Sequence, residues 1–268
     1  MNTYNEKKEQ LINILKSGST PAIAFSGGVD SSLLLYLATK LRNGDALGII
    51  GVTQAQSDGE IEKAVSFARE HMLPIEIVNI DVFATPQVAQ NHKDRCYHCK
   101  KAILQAIKKV ALKNKCSVIY DGTIADDTKE FRPGFQALTE ENIKSPLKEC
   151  GFTKTNVRNY ACDLELPIWN KPSKPCLLTR FPYNMSESIN STIIKQIEDG
   201  EKVLDFICKH NFRLRWEGKN WARIEASKED MANIIAAQDG LLEAMTKIGF
   251  SKLTLDLRPF KSGSFDRE

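Results

Sequence analysis

The first hydrophobic pattern in the chain is helical. Leu11, Ile12, Ile14 and Leu15 fall on one side of residues 5–17, and Gly18 ends the stretch. Short apolar runs then alternate with amphipathic stretches. Residues 21–25, 47–53 and 75–80 read as strands, and the second is apolar on both faces, as in a buried parallel sheet. Between them, residues 31–41 and 59–72 read as helices, the latter with Ile61, Ala64, Val65 and Ala68 at helical spacing. The pattern loosens over 82–95. A helix over 99–113 and a strand over 117–121 follow. Residues 128–142 look irregular, 145–147 a short strand, and 153–164 a helix capped by Thr153.

This alternation predicts an α/β fold: an open parallel sheet with helices on both faces. Ligands in such sheets sit at the carboxyl ends of the strands. Pro167, Pro172, Pro175 and Pro182 then mark a stiff connector. Beyond it the texture changes to a helix over 189–209, strands over 212–216 and 222–226, a helix over 228–248 and a strand over 252–257. The expected division is a nucleotide-binding domain over 1–184 and a small α+β domain over 185–268.

The chemistry concentrates first in Ser26-Gly27-Gly28-Val29-Asp30-Ser31-Ser32, between the first strand and the next helix. Two glycines let the backbone turn and let an anion approach it. The serines offer hydroxyl donors, and the following helix directs free N–H groups and a positive dipole end at the loop. No Gly-Lys-Ser/Thr follows, so this is not a Walker A loop, and no third glycine makes a dinucleotide fingerprint. The string resembles the pyrophosphate loop of ATP pyrophosphatases, which split ATP to AMP and pyrophosphate. Asp30 could help hold Mg²⁺ against the phosphates or simply favour the helix dipole. Asp121-Gly122, with Asp126 and Asp127, forms a second acidic group at a strand end, suited to nucleotide or metal.

Composition narrows the class. No apolar run approaches the roughly 18 residues of a membrane span, and residues 1–10 are too polar for a secretory signal, so a cytoplasmic protein is expected. A net charge of +3 admits small anionic substrates but leaves no strong footprint for nucleic acid. Seven cysteines is an odd and substantial count for such a chain. Cys96 and Cys99 form a C-x-x-C, open to a redox, a zinc or an iron–sulfur reading. Cys176 is the natural third thiolate, in a polar, proline-rich connector where Lys174 and Arg180 would favour its charge. Cys116, Cys150, Cys162 and Cys208 read as core residues. Arg213 and Arg215, two apart on a strand, can clamp a phosphate. His71, His92 and His210 show no ligand spacing.

Taken together these residues resemble the LarE-type sulfur transferases, which build the pincer ligand of a nickel cofactor. The resemblance runs through Ser26 to Ser31, Arg95-Cys96-Tyr97-His98-Cys99-Lys100, Asp121-Gly122-Thr123, Phe131-Arg132-Pro133-Gly134, Ser145-Pro146-Leu147, Trp169 to Pro182, Ala222 to Glu225 and Leu253 to Leu257. It implies that ATP, with Mg²⁺, activates the carboxylates of a pyridinium-3,5-dicarboxylate mononucleotide as acyl adenylates, and that each becomes a thiocarboxylate. Family members differ in sulfur source. Three cysteines holding a 4Fe–4S cluster, here Cys96, Cys99 and Cys176, fit the cluster type; a lone cysteine at Cys176 would instead surrender its own sulfur. The resemblance also places Glu201, Arg213, Arg215 and Glu225 at substrate phosphate and metal. Asn233 stands where some relatives carry an Asp. A homo-hexamer is implied, with a sulfide source and a nickel-insertion protein as possible partners. A tRNA thiolation enzyme, an amide ligase of the same superfamily and an inactive nucleotide-binding module are the competing readings.

Overall fold

The computed structural model describes residues 3–129, 134–172 and 174–261. Its first part runs α1 (Tyr4–Lys16), β1 (Pro21–Ala24), α2 (Val29–Leu41), β2 (Leu47–Thr53), α3 (Asp58–Glu70), β3 (Ile75–Ile80) and the short α4 (Pro86–Ala89). Next come α5 (Arg95–Lys113), β4 (Val118–Tyr120), α6 (Gly134–Glu140), α7 (Pro146–Glu149) and α8 (Lys154–Asp163). The last part holds α9 (Ser191–Asp205), β5 (Arg213–Trp216), β6 (Trp221–Glu225), α10 (Lys228–Ala236), α11 (Gln238–Ile248) and β7 (Lys252–Leu255). The chain divides into two compact units, Met1–Val82 with Asp94–Lys174, and Phe83–Lys93 with Pro175–Glu268.

The first unit is the predicted α/β sheet. Its four strands are all parallel, in the order β3-β2-β1-β4, with Ile23 opposite Gly48 on one side and Tyr120 on the other. Strands β1 and β2 are buried on both faces, and the strand period of two sorts their residues between them. Ile23 and Ile50 join the core under α1, α2 and α8, while Ala22 and Ile49 join the core under α5 and α6. The connections run one way from β1 to β2 and β3, and the other way to β4. The reversal between β1 and β4 is a topological switch point, where the crevice beyond the strand ends is open to a ligand.

The second unit carries the small mixed sheet, β5-β6-β7, antiparallel between β5 and β6 and parallel between β6 and β7. The early segment of this unit is tied to the connector by backbone bonds from Asn184 to Asn91, Met185 to Gln90 and Ile189 to Ala89. Among the described residues no helix is long and apolar enough to cross a membrane.

Several elements differ from the pattern reading. The second helix begins at Val29 with Gly28 as its N-cap, so Asp30 and Ser31 lie in its first turn. Helix α5 begins at Arg95, and the C-x-x-C therefore lies inside it, since nothing between Arg95 and Lys100 breaks a helix. The expected strand over 145–147 is instead the start of α7, because Pro146 with its fixed φ suits a helix's first turn. All that remains of strand pairing there is one bridge from Tyr120 to Lys144. Residues expected to be irregular supply α6, which buries Ala137 and Leu138. The long helix expected over 228–248 is two, joined at Ala237.

Candidate functional site

The loop after β1 packs tightly against its surroundings. Gly27 has φ +73°, a left-handed conformation that side chains rarely adopt, and a Cβ there would stand 2.5 Å from the Cβ of Ala64 in α3. The serines knit the loop to the helix. Ser26 N–H donates to Ser31 Oγ at 3.2 Å, and the two hydroxyls lie 3.1 Å apart. Ser31 Oγ donates in turn to the Gly28 carbonyl at 3.2 Å, which also accepts from the Ser32 N–H. Lys171 Nζ donates to the Gly27 carbonyl at 2.9 Å and pairs with Glu60 at 2.8 Å.

A cavity of about 260 Å³ opens at this loop, beyond the ends of β1 and β4. Ser26, Asp30 and Ser31 line one side, and Asp121, Gly122 and Thr123 another. Helix α5 forms a further wall with Lys100, Ile103 and Leu104. Gly122 is pressed onto the helix start: a Cβ there would lie 2.8 Å from the Ser31 nitrogen. Asp121 is buried, and its carboxylate accepts from Thr123 Oγ1 and Ser145 Oγ, each at 2.6 Å, with Lys100 Nζ 3.6 Å away. Asp126 accepts from the Lys154 N–H at the start of α8, and Asp127 from the Ile124 N–H. Lys154 Nζ reaches Asp30 at 2.6 Å. Burial pushes the Asp30 carboxyl up, and the hydrogen bond and charge of Lys154 do not fully offset it.

Two atoms in the loop stay unmet. Asp30 Oδ1 and the fully buried Ser32 Oγ have no hydrogen-bond partner among the described residues. Unmet buried polar atoms call for a ligand, a water or an ion. With the glycine backbone, the helix N-terminus and the cavity beside them, they suit a phosphate and its cation.

The C-x-x-C opens α5, with Cys96 in the first turn, where negative charge is favoured; Cys96 is exposed and Cys99 partly so. At i and i+3 the two thiols share one helix face, which suits two thiolate ligands of one iron–sulfur group. His98 turns to Asp94, at 3.2 Å. Cys176 belongs to the other unit, as the exposed N-cap of a one-turn 3₁₀ helix, Leu177–Arg180. Its carbonyl accepts from Thr179 Oγ1 at 2.8 Å and from Arg180 Nη1 at 3.2 Å.

In that second unit Arg180 is held bidentately by Glu201, at 2.9 and 2.8 Å. Arg215 pairs with Glu225 at 2.8 Å and donates to the Thr179 carbonyl. Glu225 also takes Arg223, at 3.0 Å. Glu201 and Glu225, expected at a metal, are thus engaged by guanidinium groups. Arg213 has no carboxylate within ion-pair distance among the described residues; it rests on the Phe260 ring. Burial and the charges of Arg180 and Arg215 hold its pKa down, which marks the spot as one that gains from an anion. Among the described residues no group of three or more His, Cys, Asp or Glu side chains is arranged to hold a metal ion. Residues 131–133 and 173 of the motifs lie outside the described residues.

The sequence reading missed Lys154, Lys171 and Asn91. Fully buried Asn91 donates from Nδ2 to the carbonyls of Phe181 and Pro182, both at 2.9 Å, and of Leu178 at 3.4 Å, which fixes the turn that carries Cys176. Nothing local in the sequence marks it; the structure has Asn91 at positive φ, a conformation Asn tolerates better than most residues.

No family model matches the chain. It is 31% identical over 264 residues to the pyridinium-3,5-bisthiocarboxylic acid mononucleotide synthase of Lactiplantibacillus plantarum, covering 98% of this chain and 95% of that protein. It is 33% identical to an uncharacterized protein of Synechocystis sp. over 247 residues, 91% of each. It is also 33% identical to an uncharacterized protein of Methanocaldococcus jannaschii over 240 residues, 90% of each.

Proposed function

The chain belongs to the pyridinium-3,5-bisthiocarboxylic acid mononucleotide synthase family, and from that premise we propose that it is an ATP-dependent sulfur transferase of the cytoplasm. Its substrate is a pyridinium-3,5-dicarboxylate mononucleotide, and its product the thiocarboxylate used to build a nickel-pincer cofactor. The observation that carries the reading is the cavity at the switch point. The serine–glycine loop lines it, and its wall is the helix whose start bears Cys96 and Cys99. The loop proposed for activation and two of the three cysteines proposed for sulfur delivery thus share one unit of the fold.

A carboxylate is a poor electrophile. Its oxygen attacks the α-phosphorus of ATP, the bond to the β-phosphate oxygen breaks, and pyrophosphate leaves. Ser26, Ser31 and the Gly27–Gly28 backbone bind the departing phosphates, and Asp30 would hold Mg²⁺, which would neutralise their charge. Lys100 stands on the cavity wall, placed to balance negative charge. The mixed anhydride then yields its acyl carbon to sulfur, and AMP leaves. Cys96, Cys99 and Cys176 would hold the 4Fe–4S cluster that the family resemblance implies, and that group would supply sulfide sulfur as the nucleophile. Arg213 and Arg215 bind the substrate phosphate. Homo-oligomeric assembly belongs to the same proposal, as the resemblance implies.

The test uses anaerobically prepared protein, which should be brown and contain iron and labile sulfide. Cys96→Ala should abolish thiocarboxylate formation while AMP and pyrophosphate are still released with ATP and the dicarboxylate. A colourless, iron-free protein after reconstitution, or surviving sulfur transfer in Cys96→Ala, would sink the cluster reading. The exposed Cys176 thiol favours one specific alternative, sacrifice of its own sulfur, and loss of the mass of H₂S at Cys176 after turnover would establish it. Salt-sensitive binding of bulk tRNA would point instead to tRNA thiolation.

A further inference from the structure

We infer that Lys171 is a positioning residue for ATP, acting through the outer side of the glycine loop by its bond to the Gly27 carbonyl. The inference rests on the nucleotide role of that loop proposed above.

Three observations lead there. Lys171 Nζ sits between two acceptors, the Gly27 carbonyl at 2.9 Å and Glu60 Oε2 at 2.8 Å. Its side chain is 15% exposed, so the bonds are sheltered from competition by water. And Lys171 is itself anchored: its N–H donates to the Ile168 carbonyl, and its carbonyl accepts from Arg158 of α8. The charge of the ammonium is matched by Glu60. Burial pushes the Glu60 carboxyl up, but the bond and charge of Lys171 outweigh it and hold the group below its usual range. An ammonium already paired in this way adds little net charge to an anion site. Its effect is geometric.

The geometry follows from the peptide bond. No peptide in the described chain is cis, and in a trans peptide the C=O and the next N–H point opposite ways. Holding the Gly27 carbonyl on the Lys171 side therefore turns the Gly28 N–H to the other side. Helix α3 completes the grip. Glu60 and Ala64 are one turn apart on one helix face; the first anchors Lys171, and the second presses on Gly27. With Lys171 removed, the Gly27–Gly28 peptide is free to rotate, and a donor aimed in advance becomes one that binding must order.

The experiment measures the Kd of Mg·ATP by calorimetry, and kcat and KM for AMP release, in wild type, Lys171→Met, Lys171→Arg and Glu60→Gln. Lys171→Met should raise the ATP Kd and KM about tenfold, the scale of one charged hydrogen bond, with kcat at saturating ATP changed far less. Lys171→Arg, which keeps the donors, should recover most of the loss, and Glu60→Gln should fall between. If Lys171→Met does not fold, the Arg and Gln variants carry the test. An ATP Kd within twofold of wild type in Lys171→Met, or unchanged in Glu60→Gln with Lys171→Met unfolded, overturns the inference. So does a fall in kcat alone. Wild-type protein that binds ATP but makes no thiocarboxylate refutes the sulfur-transfer reading and leaves this test standing; wild-type protein that binds no ATP refutes both.

Discussion

Replacing Gly27 by alanine tests the loop at its tightest point, and the chain contains its own control. Gly18 and Gly27 have nearly the same positive φ, +77° and +73°. In that region an L-residue costs roughly 1–2 kcal/mol, so both alanine variants share this term. They differ in space. A Cβ at Gly18 meets nothing within 4 Å, whereas at Gly27 it would lie 2.5 Å from Ala64 Cβ and 3.2 Å from Ala64 Cα. Carbon atoms in contact prefer about 3.5–4.0 Å, so the loop must retreat from α3 by about 1 Å. A displacement of about 1 Å in a positioned site is enough to cost on the order of 100-fold in turnover. Gly18→Ala should therefore lose roughly 1 kcal/mol of stability in urea and leave ATP binding as it was. Gly27→Ala should fold, with a further loss of stability, and bind Mg·ATP about tenfold more weakly, the scale of one charged hydrogen bond to a phosphate. Calorimetric titration of both proteins with Mg·ATP decides it. Equal ATP affinity in the two variants would refute the claim that contact with α3 shapes the phosphate loop.

Two further outcomes are expected. Asp30 has its carboxyl pushed up from 3.8 by burial, so its ionised form costs stability: that contribution is favourable below about pH 3.8 and is lost as pH rises through the raised value. Asp30→Asn should melt above wild type at neutral pH, converge with it in acid and lose AMP formation; equal or lower melting at pH 7 would contradict this. Asp230, fully buried at the start of α10, behaves oppositely: burial raises its carboxyl, but the N–H groups of Lys209 and His210, with the Ser227 and His210 side chains, overcome that and pull it from 3.8 to about 2. Its contribution is present above about 3.8 and lost as pH falls through about 2, so Asp230→Ala should cost about 2 kcal/mol near pH 7 by urea unfolding, and an equal difference at pH 7 and pH 2 would exclude the linkage.

The parts of this site that were legible in the sequence are those whose physics is local. A strand, two glycines and a helix start are read from twelve consecutive residues, 21–32, and the structure shows that arrangement with Gly28 as the N-cap. Thr153 was readable as a cap because its capping box closes within three residues, on Asn156. The order β3-β2-β1-β4 was not readable, because strand alternation gives the presence of parallel strands but not their neighbours. The long-range anchors were hidden for the same reason. Lys171 meets Gly27 across 144 residues and Lys154 meets Asp30 across 124, and in the chain each is one lysine among many. Asn91 reaches the Cys176 turn from 87 to 91 residues away. Pattern reading also placed the C-x-x-C before its helix, since a start without a side-chain cap leaves no local mark; Asp94 makes no capping bond.

What separates a binding loop from a plain turn is where its polar groups are used. A turn that merely joins a strand to a helix gains by satisfying every buried donor and acceptor. Here the carbonyls are satisfied: Gly27 O accepts from Lys171, and Gly28 O from Ser31 and Ser32. The side chains on the helix start are not, since Asp30 Oδ1 and Ser32 Oγ are buried without partners among the described residues, and burial works against the Asp30 charge. Each unmet buried polar atom costs on the order of 1–3 kcal/mol, and one residue change, such as Ser32→Ala, would remove such an atom. At a turn already held by a lysine, a glutamate and a helix face, those two atoms stand ready for a partner. The partner proposed for them is a phosphate chain with its cation.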